Sequence, residues 1–447
     1  MKRLYFGTDG VRGNYSSELI NEAFVARLVA AAVSWVATKN KGLSEPTVLI
    51  GRDTRSSGVI LERAVIDGVV AAGGSPVPLG ILPTPAVARA VRFMPADLGV
   101  VITASHNPAG DNGIKFFGPQ GLKLSDADEI EIEGLLAESV ERKSGHSAYS
   151  DNAVLDYIDT ARKLLSANSL TGWRIVLDTA NGATCRTSPI VLSELGADVV
   201  GLGNTPDGLN INDGVGSEHP EALAALVKKL GARIGIAHDG DGDRCILCDE
   251  QGAVLDGDEI LTILAIDAID RRVLAENTLV ITVQSNLGVD AAVTARGGRV
   301  LRTNVGDRYV IERMRAVGAT LGGESSGHIV CADISPTGDG LVAALRVIDV
   351  MQRTGKPLSV LRMGLQKFPQ RTTALRVSER RDLAACINLQ SAVAQLETSL
   401  GTGGRVLVRY SGTEAKLRLL VEGPTPEITD AGLAALEVAA RNDLTVL

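Results

Sequence analysis

Three aspartates alternate with glycines in one short segment of the chain, a spacing typical of a metal site. Residues 238–244 read His-Asp-Gly-Asp-Gly-Asp-Arg, which places carboxylates at Asp239, Asp241 and Asp243. In an extended loop, side chains two residues apart point to the same side. The glycines between them let the backbone bend until the carboxylates converge. Hard oxygen ligands suit Mg²⁺ or Ca²⁺, so the segment predicts a divalent-cation site.

Other interpretations of this segment are weaker. An EF-hand calcium loop starting at Asp239 would place Glu250 at its twelfth position, but it needs glycine at the sixth, where this chain has Arg244. A solvated acidic turn rarely needs such regular alternation, and three close carboxylates require a cation or strong donors. The nearby Cys245 and Cys248 have the spacing of a redox or zinc motif. We expect them instead to be buried strand cysteines, because no second pair stands at zinc spacing.

A serine in a second segment has the surroundings of a nucleophile. Residues 103–108 read Thr-Ala-Ser-His-Asn-Pro after an apolar run, and Lys115 follows shortly after Ser105. Ligands of parallel α/β sheets collect beyond the carboxyl ends of the strands. A neighbouring His or Lys can help to remove a serine proton. Alternatively, Ser105 or Asn107 caps a turn or a helix, and this segment alone favours neither interpretation.

Two glycine-containing loops carry groups suited to sugars or anions. Residues 322–328 include Glu324, Ser326 and His328, which are suitable partners for hydroxyl groups, with His328 as an acid or base. Taken alone, an ordinary glycine-rich turn is the better interpretation of that loop. The opening segment 6–13 places three glycines around Arg12, which suggests an arginine close to an anion. A purely structural turn explains that segment equally well.

A loop near the end of the chain has the composition of an oxyanion cradle. Residues 409–418 read Arg-Tyr-Ser-Gly-Thr-Glu-Ala-Lys-Leu-Arg. Arginines give bidentate contacts to phosphate, and backbone N–H groups around a glycine complete such a site. A polar hairpin turn is the alternative, but the composition favours phosphate binding. The candidate groups are Arg409, Ser411, Gly412, Thr413 and Arg418.

The bulk composition limits the class of protein. At about 150 residues per domain, the 447 residues allow three or four domains. A net charge of −8 argues against a nucleic-acid partner, which requires a basic surface. The five cysteines are an odd number and indicate free thiols in a reducing compartment. No apolar run approaches the roughly 18 residues of a membrane span. The first residues break their apolar run at once, which is not the pattern of a secretory signal peptide. We therefore expect a cytoplasmic protein with no membrane partner.

Short apolar runs alternate with helix-like segments, which indicates parallel sheets covered by helices on both faces. A different pattern from residue 365 onward predicts a small α+β domain with antiparallel strands 367–377, 405–408 and 417–421 and a terminal helix. The predicted linkers are 144–149 and 354–357. The other predicted strands are 48–52, 98–103, 174–177, 198–202, 233–237, 278–283 and 300–302. The predicted helices are 22–38, 58–72, 220–230 and 258–269.

Together, these segments resemble the α-D-phosphohexomutase superfamily. Its Ser-His-Asn-Pro phosphoserine loop, Asp-Gly-Asp-Gly-Asp-Arg metal loop, Gly-Glu-x-Ser-Gly-His sugar loop and Arg-x-Ser-Gly-Thr-Glu phosphate loop occur here in the same order, from Ser105 to Arg418. With the opening segment, the resemblance covers nearly the whole chain. It implies an α/β fold of three similar domains with mixed sheets plus a C-terminal α+β domain, arranged around one central cleft. The implied boundaries are 1–148, 149–254, 255–364 and 365–447.

The resemblance also implies an isomerase that moves phosphoryl groups by way of a phosphorylated Ser105. One Mg²⁺ per subunit would be held by Asp239, Asp241, Asp243 and a phosphate oxygen on Ser105. The implied catalytic residues are Ser105, Lys115, Arg12 and His328. The implied substrate-binding residues are Arg244, Arg308, Glu324, Ser326 and His328, and the phosphate-binding residues are those of the loop 409–418 named above.

Within the superfamily, segments 6–13, 111–117, 285–288, 305–310 and 337–340 are closest to bacterial enzymes that interconvert glucosamine 6-phosphate and glucosamine 1-phosphate. Glucosamine 1,6-bisphosphate is then the implied primer and intermediate, and cell-wall precursor synthesis the implied setting. Ser325 stands where that sugar loop usually has Gln, and Tyr410 and Ala415 stand where many members have Pro.

The departures leave other functions open. A glucose or mannose phosphate mutase is the nearest alternative, because contacts near Ser325 set the sugar preference. A metal-dependent phosphatase or a regulatory binding protein on the same scaffold is more distant, since a binding protein has little need of Ser105 and all three aspartates. The resemblance suggests a homodimer, a state that no residue pattern in the chain indicates by itself.

Overall fold

Four β-sheets, each formed by its own stretch of chain, organise the structure, and we call these stretches the first to fourth domains. The chain packs as two compact units. The first unit holds the first three sheets and the second unit holds the fourth. The units are Met1–Gln284 with Arg296–Gly364, and Ser285–Ala295 with Leu365–Leu447. The computed structural model describes residues 3–7, 9–40, 43–136, 149–411 and 415–447.

The first domain is a six-stranded mixed sheet with four helices. In chain order its elements are β1 (Val11–Asn14), α1 (Glu22–Lys39), β2 (Thr47–Arg52), α2 (Ser56–Ala71), β3 (Ser75–Ile81), α3 (Thr84–Phe93), β4 (Leu98–Ile102), β5 (Asp111–Gly118), β6 (Leu122–Lys123) and α4 (Asp126–Gly134). The strand order is β1-β5-β4-β2-β3, with β6 beside β5. β2 pairs parallel with β3 and β4, whereas β5 pairs antiparallel with β4 and β1.

Residue size sets how closely helices approach the first sheet. Val48 and Ile50 of β2 pack in a buried core with Leu28 of α1 and other side chains of α1 and α2. On the opposite face, glycines let α3 come very close. A Cβ added to Gly51 would lie only 2.4 Å from the Cγ2 atom of Val87. Helices therefore cover both faces of this sheet, and every residue of β4, the strand before the candidate serine loop, is buried.

The second domain is a five-stranded sheet of order β11-β10-β9-β7-β8. β7 pairs parallel with β8 and β9, and β10 pairs antiparallel with β9 and β11. The aspartate loop is therefore the turn of the β9–β10 hairpin. In chain order the elements are α5 (Asn152–Arg162), β7 (Arg174–Asp178), α6 (Ser188–Glu194), β8 (Asp198–Leu202), α7 (Glu221–Leu230), β9 (Ile234–His238), β10 (Cys245–Cys248) and β11 (Val254–Leu255).

The third domain repeats the same arrangement with four strands in the order β13-β12-β14-β15. β12 pairs parallel with β13 and β14, and β15 pairs antiparallel with β14. In chain order the elements are α8 (Gly257–Asp270), β12 (Thr278–Thr282), α9 (Leu287–Ala295), β13 (Arg299–Thr303), α10 (Asp307–Val317), β14 (Leu321–Gly323), β15 (Ile329–Cys331), α11 (Gly340–Thr354) and α12 (Leu358–Leu361).

The fourth domain is a three-stranded antiparallel sheet of order β16-β18-β17. Two helices pack with it around a separate apolar core that includes Leu389, Leu419 and Leu436. No helix in the described ranges is both long and apolar enough to cross a membrane. In chain order the elements are β16 (Gln370–Arg376), α13 (Ile387–Leu400), β17 (Arg405–Tyr410), β18 (Lys416–Glu422) and α14 (Pro426–Asp443).

The structure confirms the predicted fold class of three α/β domains with mixed sheets and a smaller α+β domain. Each strand and helix predicted from the sequence is present, with ends shifted by at most three residues. Cys245 and Cys248 are buried and unpaired in β10, as expected. The alternating pattern alone predicted parallel sheets, but β5, β10 and β15 run antiparallel. The linker 144–149 falls outside the described residues except for Tyr149, and the linker 354–357 joins α11 to α12.

Truncating the first core should destabilise the protein. Leu28 is fully buried, so Leu28→Ala is expected to lower the free energy of unfolding by about 2–5 kcal/mol through lost contacts and a cavity. Chemical denaturation followed by circular dichroism measures the change. Val59 lies on the same core's second helix but is 45% exposed, so Val59→Ala should change the free energy by less than about 0.5 kcal/mol. Equal losses in the two variants would contradict this packing.

Candidate active site

Ser105 lies just beyond the end of β4 and turns its hydroxyl toward the second domain. Its Oγ donates a 2.5 Å hydrogen bond to Asp239 Oδ2, and its backbone N–H donates to Thr103 Oγ1 at 2.9 Å. The His106 Nδ1 atom is 3.3 Å from the Ser105 Oγ. Burial, Arg244 and Arg12 lower the pKa of His106 to about 4, so this imidazole is neutral. The serine is therefore held against a carboxylate and not at a simple cap.

The three predicted aspartates converge, as the alternating spacing indicated. One oxygen from each of Asp239, Asp241 and Asp243 lies within 4.8 Å of the others, and all three residues are buried. Burial, and then the charges of Asp243 and Asp241, raise the pKa of Asp239 well above its usual value. Asp239 Oδ1 accepts hydrogen bonds from the backbone N–H groups of Gly242 at 3.1 Å and Arg244 at 3.2 Å. Backbone N–H groups of the loop thus hydrogen-bond to one of its own carboxylates, that of Asp239.

This cluster of oxygens fits Mg²⁺. The Oδ1 atoms of Asp241 and Asp243 are buried and accept no hydrogen bond from any described residue. A buried carboxylate oxygen without a partner is costly, and a hard divalent cation is the ligand that such oxygens prefer. Thr84 Oγ1 fixes the other oxygen of Asp241 through a 2.6 Å hydrogen bond. The free oxygens are therefore held in place to receive a cation.

Lys115 of β5 supplies positive charge to the same cluster. Its Nζ lies 2.7 Å from Asp241 Oδ2, 3.4 Å from Asp243 Oδ2 and 3.0 Å from Asp9 Oδ2. Burial opposes the charged form, but Asp241, Asp9 and Asp243 raise the pKa of Lys115 above its usual value. The side chain is 1% exposed, so the charge is shielded from water. Lys115 is thus a buried cation at the centre of the site.

Beyond Lys115, buried charges alternate in sign until they return to the aspartate loop. Asp9 forms an ion pair with Lys123, which also pairs with Asp307. Asp307 Oδ2 lies 3.4 Å from His328 Nε2, and His328 Nδ1 lies 3.6 Å from Asp243 Oδ1. Burial disfavours charge on His328, but Asp243 and Asp307 raise its pKa to about 9. We call these five residues and Lys115 the charge ring (Lys115, Asp9, Lys123, Asp307, His328 and Asp243).

The predicted sugar loop lies directly beside the aspartate loop. Arg244 and His328 form an antiparallel β-bridge, and the Cys245 N–H donates to Gly327 O at 2.9 Å. Glu324 Oε1 accepts a 2.9 Å hydrogen bond from the Gly306 N–H. Ser326 Oγ is buried and has no hydrogen-bond partner among the residues that the structure describes. The backbone bridge therefore brings Glu324 and Ser326, two candidates for binding hydroxyl groups, next to the carboxylates of the aspartate loop.

The predicted arginines of the first unit occupy different surroundings. Arg12 forms an ion pair with Asp9, and Arg244 Nη1 lies 2.8 Å from Glu218 Oε1. Both guanidinium groups remain partly exposed, so they can meet a ligand. Arg308 is buried, and its Nη2 lies 2.5 Å from Glu129 Oε1. Its guanidinium joins the third domain to the first, and its role in substrate binding stays a prediction.

In the fourth domain, the predicted phosphate loop is the turn of the β17–β18 hairpin. Arg409 and Arg418 are directly opposite each other across the two strands. Like charges in that arrangement repel, and an anion bound between them would relieve the repulsion. Ser411 is buried, and its N–H donates to Lys416 O at 2.8 Å. Gly412 and Thr413 lie outside the described residues.

Several residues that the structure brings to this site were not among the candidates that the sequence indicates. Asp9 lies in the opening segment where only Arg12 was identified, and Lys123 and Asp307 were not identified at all. A lone charged residue in an element carries no local signal, because its partner lies far away in the chain. For Asp9 the sequence does offer a weak signal. Residues 7–10 read Gly-Thr-Asp-Gly, so a carboxylate lies between glycines there as it does in the metal loop.

The chain is similar to one known family along nearly its whole length. The descriptions that match are phosphoglucomutase/phosphomannomutase alpha/beta/alpha domain I over residues 3–143, domain II over 155–252, domain III over 256–368 and the C-terminal domain over 373–438. A protein named phosphoglucosamine mutase, from Anoxybacillus flavithermus, is 45% identical over 432 residues, which cover 95% of this chain and 96% of that protein.

Solved structures give the same fold. A phosphoglucomutase/phosphomannomutase family protein from Burkholderia thailandensis has a TM-score of 0.83 at 24% identity, covering 99% of this chain and 98% of its own. The N-acetylphosphoglucosamine mutase of Aspergillus fumigatus, solved in complex with GlcNAc-6P and magnesium, has a TM-score of 0.67 at 17% identity, covering 99% and 96%. At these identities the likeness establishes the architecture alone.

Removing one charge from the aspartate cluster should weaken metal binding. We expect Asp241→Asn and Asp243→Asn each to lower the affinity for Mg²⁺ by at least about tenfold, because each removes a negative oxygen from the cluster. Titration calorimetry with Mg²⁺ alone measures this without any turnover. Asp213→Asn is the control, since Asp213 is exposed on another loop of the same domain. Identical affinities in all three variants would refute the proposed site.

Proposed function

We propose that this chain, which belongs to the phosphoglucomutase/phosphomannomutase family and is a phosphohexomutase, interconverts glucosamine 6-phosphate and glucosamine 1-phosphate. The 45% identity to a protein named phosphoglucosamine mutase supports the choice of sugar. The observation that carries the chemistry is the Ser105 hydroxyl, held 2.5 Å from Asp239 within a buried carboxylate cluster. Such a hydroxyl, once phosphorylated, lies at a cation site.

In the proposed mechanism, Ser105 carries the phosphoryl group between turnovers. The phosphoryl group leaves the Ser105 Oγ for the free hydroxyl of the sugar phosphate, which gives glucosamine 1,6-bisphosphate and an unmodified serine. The bisphosphate reorients, and its other phosphate returns to Ser105 as the product forms. Over one cycle Ser105 gives up one phosphoryl group and receives one back, so the enzyme returns to its phosphorylated state. An initial supply of the bisphosphate primes the unmodified enzyme.

Positive charge around Ser105 serves this transfer. Mg²⁺ held by Asp239, Asp241, Asp243 and the serine phosphate would neutralise charge on the moving group. Lys115 adds a second cation, a role that its place among three carboxylates supports. Arg12 and Arg244 are partly exposed beside it and would contact phosphate oxygens.

The remaining loops would bind the sugar in two orientations. Glu324, Ser326 and His328 adjoin the carboxylates, and the unpartnered Ser326 hydroxyl suits a ring substituent. The opposed Arg409 and Arg418, with Ser411, Gly412 and Thr413, would hold the phosphate that is not reacting. Exclusion of water from the site would protect the phosphoserine from hydrolysis.

The proposal has five further parts. We place domain boundaries after residues 148, 254 and 364, and we assign Arg308 to substrate binding in a closed state of the enzyme. The expected assembly is a homodimer, as the resemblance suggests. The expected compartment is the cytoplasm, in keeping with five free cysteines. The expected product supplies amino-sugar nucleotides for cell-wall precursors.

The phosphoserine route makes Ser105 indispensable. Ser105→Ala should reduce mutase turnover to background, because it removes the hydroxyl that carries the phosphoryl group in the proposed mechanism. A coupled assay for glucosamine 1-phosphate formation, primed with the bisphosphate, measures this loss. Ser166→Ala changes an exposed serine of the second domain and should leave the rate unchanged. Wild-type turnover in Ser105→Ala would eliminate the phosphoserine mechanism.

The substrate preference can be measured directly. With Mg²⁺ and the matching bisphosphate primer, we expect kcat/KM to be highest for glucosamine 6-phosphate among the glucosamine, glucose and mannose 6-phosphates. A preference for glucose or mannose would keep the mechanism and change the substrate, with Ser325 as the residue to replace by Gln. Phosphate release without isomerisation would indicate a phosphatase instead.

A further inference from the structure

The backbone of Ser105 is held in a conformation that a serine seldom adopts. Its φ angle is +54°, in the left-handed region. A non-glycine residue in this region is strained and persists only where its surroundings enforce it. From this backbone the Ser105 Oγ donates its hydrogen bond to Asp239 Oδ2, so the direction of the hydroxyl depends on the conformation of the loop. Some group must therefore fix the carbonyls of this loop.

Arg55 is the first such group. The side chain is fully buried, and its Nε donates to Asp53 Oδ2 at 2.9 Å. Nη2 donates to Ser105 O at 3.1 Å and to Asn107 O at 2.8 Å. Nη1 donates to Asp111 O at 2.9 Å and also to the carbonyl of residue 108. All five N–H donors of the guanidinium are thus used, and four of them end on carbonyls of the serine loop.

Asn212 reaches the same loop from the second domain. Its Nδ2 donates to Ser105 O at 2.9 Å and to Asn107 O at 3.0 Å. These are the two carbonyls that Arg55 Nη2 also contacts, so each receives two donors from two domains. Asn212 itself has a φ of +59°, which asparagine tolerates better than most residues. The amide is therefore placed by its own turn and not by the serine loop.

We propose that Arg55 and Asn212, the carbonyl clamp, are positioning residues that hold Ser105 in the geometry needed for phosphoryl transfer. The hydrogen bonds that both side chains make to this loop end on backbone carbonyls and not on the Ser105 Oγ, so the clamp acts on the chemistry through the backbone. The inference rests on the proposed role of Ser105 as the phosphate carrier. Lysine cannot replace Arg55, because it has three donors in a compact group and lacks the planar fork.

Two variants test the clamp. Arg55→Lys removes the fork, and Asn212→Gly removes the amide while keeping a residue that accepts a positive φ. We expect amide hydrogen exchange to accelerate at least about tenfold in residues 103–111 and nowhere else in the first domain. We also expect kcat per phosphorylated site to fall by about 100-fold in Arg55→Lys and roughly tenfold in Asn212→Gly. KM should change by less than about twofold, because the clamp touches no substrate.

The phosphorylated fraction of each variant is measured by intact mass, and kcat is divided by it. This separates a positioning effect from partial unfolding, because partial unfolding would reduce the phosphorylated fraction and not the rate per phosphorylated site. Arg362→Lys is the matched control, since Arg362 bonds Asp249, Glu259 and a backbone carbonyl away from this loop. Asn168→Gly is the second control, because Asn168 has a φ of +57° in the same domain. Both controls should keep loop exchange and kcat at wild-type values.

Unchanged exchange in residues 103–111, or unchanged kcat per phosphorylated site, would overturn the clamp even if Arg55→Lys lowers the melting temperature. Asn212→Gly decides the question should Arg55→Lys fail to fold. The exchange measurement needs no turnover, so it distinguishes failure of the clamp from failure of the phosphoserine route, which the Ser105→Ala variant reports separately.

Discussion

The enclosure of three carboxylates in one small volume is the constraint to which the rest of the site responds. Negative charges at this distance repel strongly in a medium less polar than water, and their burial adds a desolvation cost. Asp239, Asp241 and Asp243 remain together because neighbouring domains supply cations and donors. Lys115 comes from the first domain and His328 from the third. The charge ring is thus both the electrostatic setting of the chemistry and a cross-link between domains.

A single topological rule explains where the reactive loops lie. In each of the first three sheets, a parallel strand is followed by a strand that pairs with it antiparallel, as β4 is by β5, β9 by β10 and β14 by β15. The serine, aspartate and sugar loops are the three connections at these reversals. A chain reversal leaves backbone groups and side chains beyond the sheet edge, where ligands of α/β folds bind. Repeating the rule in three domains brings three loops together.

The sequence could predict those features whose signal is local. The aspartate spacing, the serine loop and the succession of elements all lie within short windows, and the structure agrees with each. Asp9, Lys123 and Arg55 could not be found in this way, because the partners that bring them to the site are 50 residues or more away in the sequence. The alternating pattern did not indicate the antiparallel strands of the first three sheets for the same reason, since strand direction depends on the partner. Only the family resemblance implied mixed sheets. Arg308 has a local motif, yet its guanidinium contacts Glu129 in another domain.

The bonds between loops also bear on the order in which the protein is made. The Gly340 N–H donates to Gly242 O at 3.1 Å, and Thr84 donates to Asp241, so the aspartate turn touches residues synthesised both long before and long after it. Domains generally fold as units from the amino terminus during synthesis. A nascent first domain can therefore complete its own core while its serine still faces water. The Ser105 hydroxyl meets its carboxylate partner only after the second sheet has emerged, and the acidic turn receives its last restraint later still, from the start of α11. The carboxylate cluster is thus completed late in translation, after the first domain has folded.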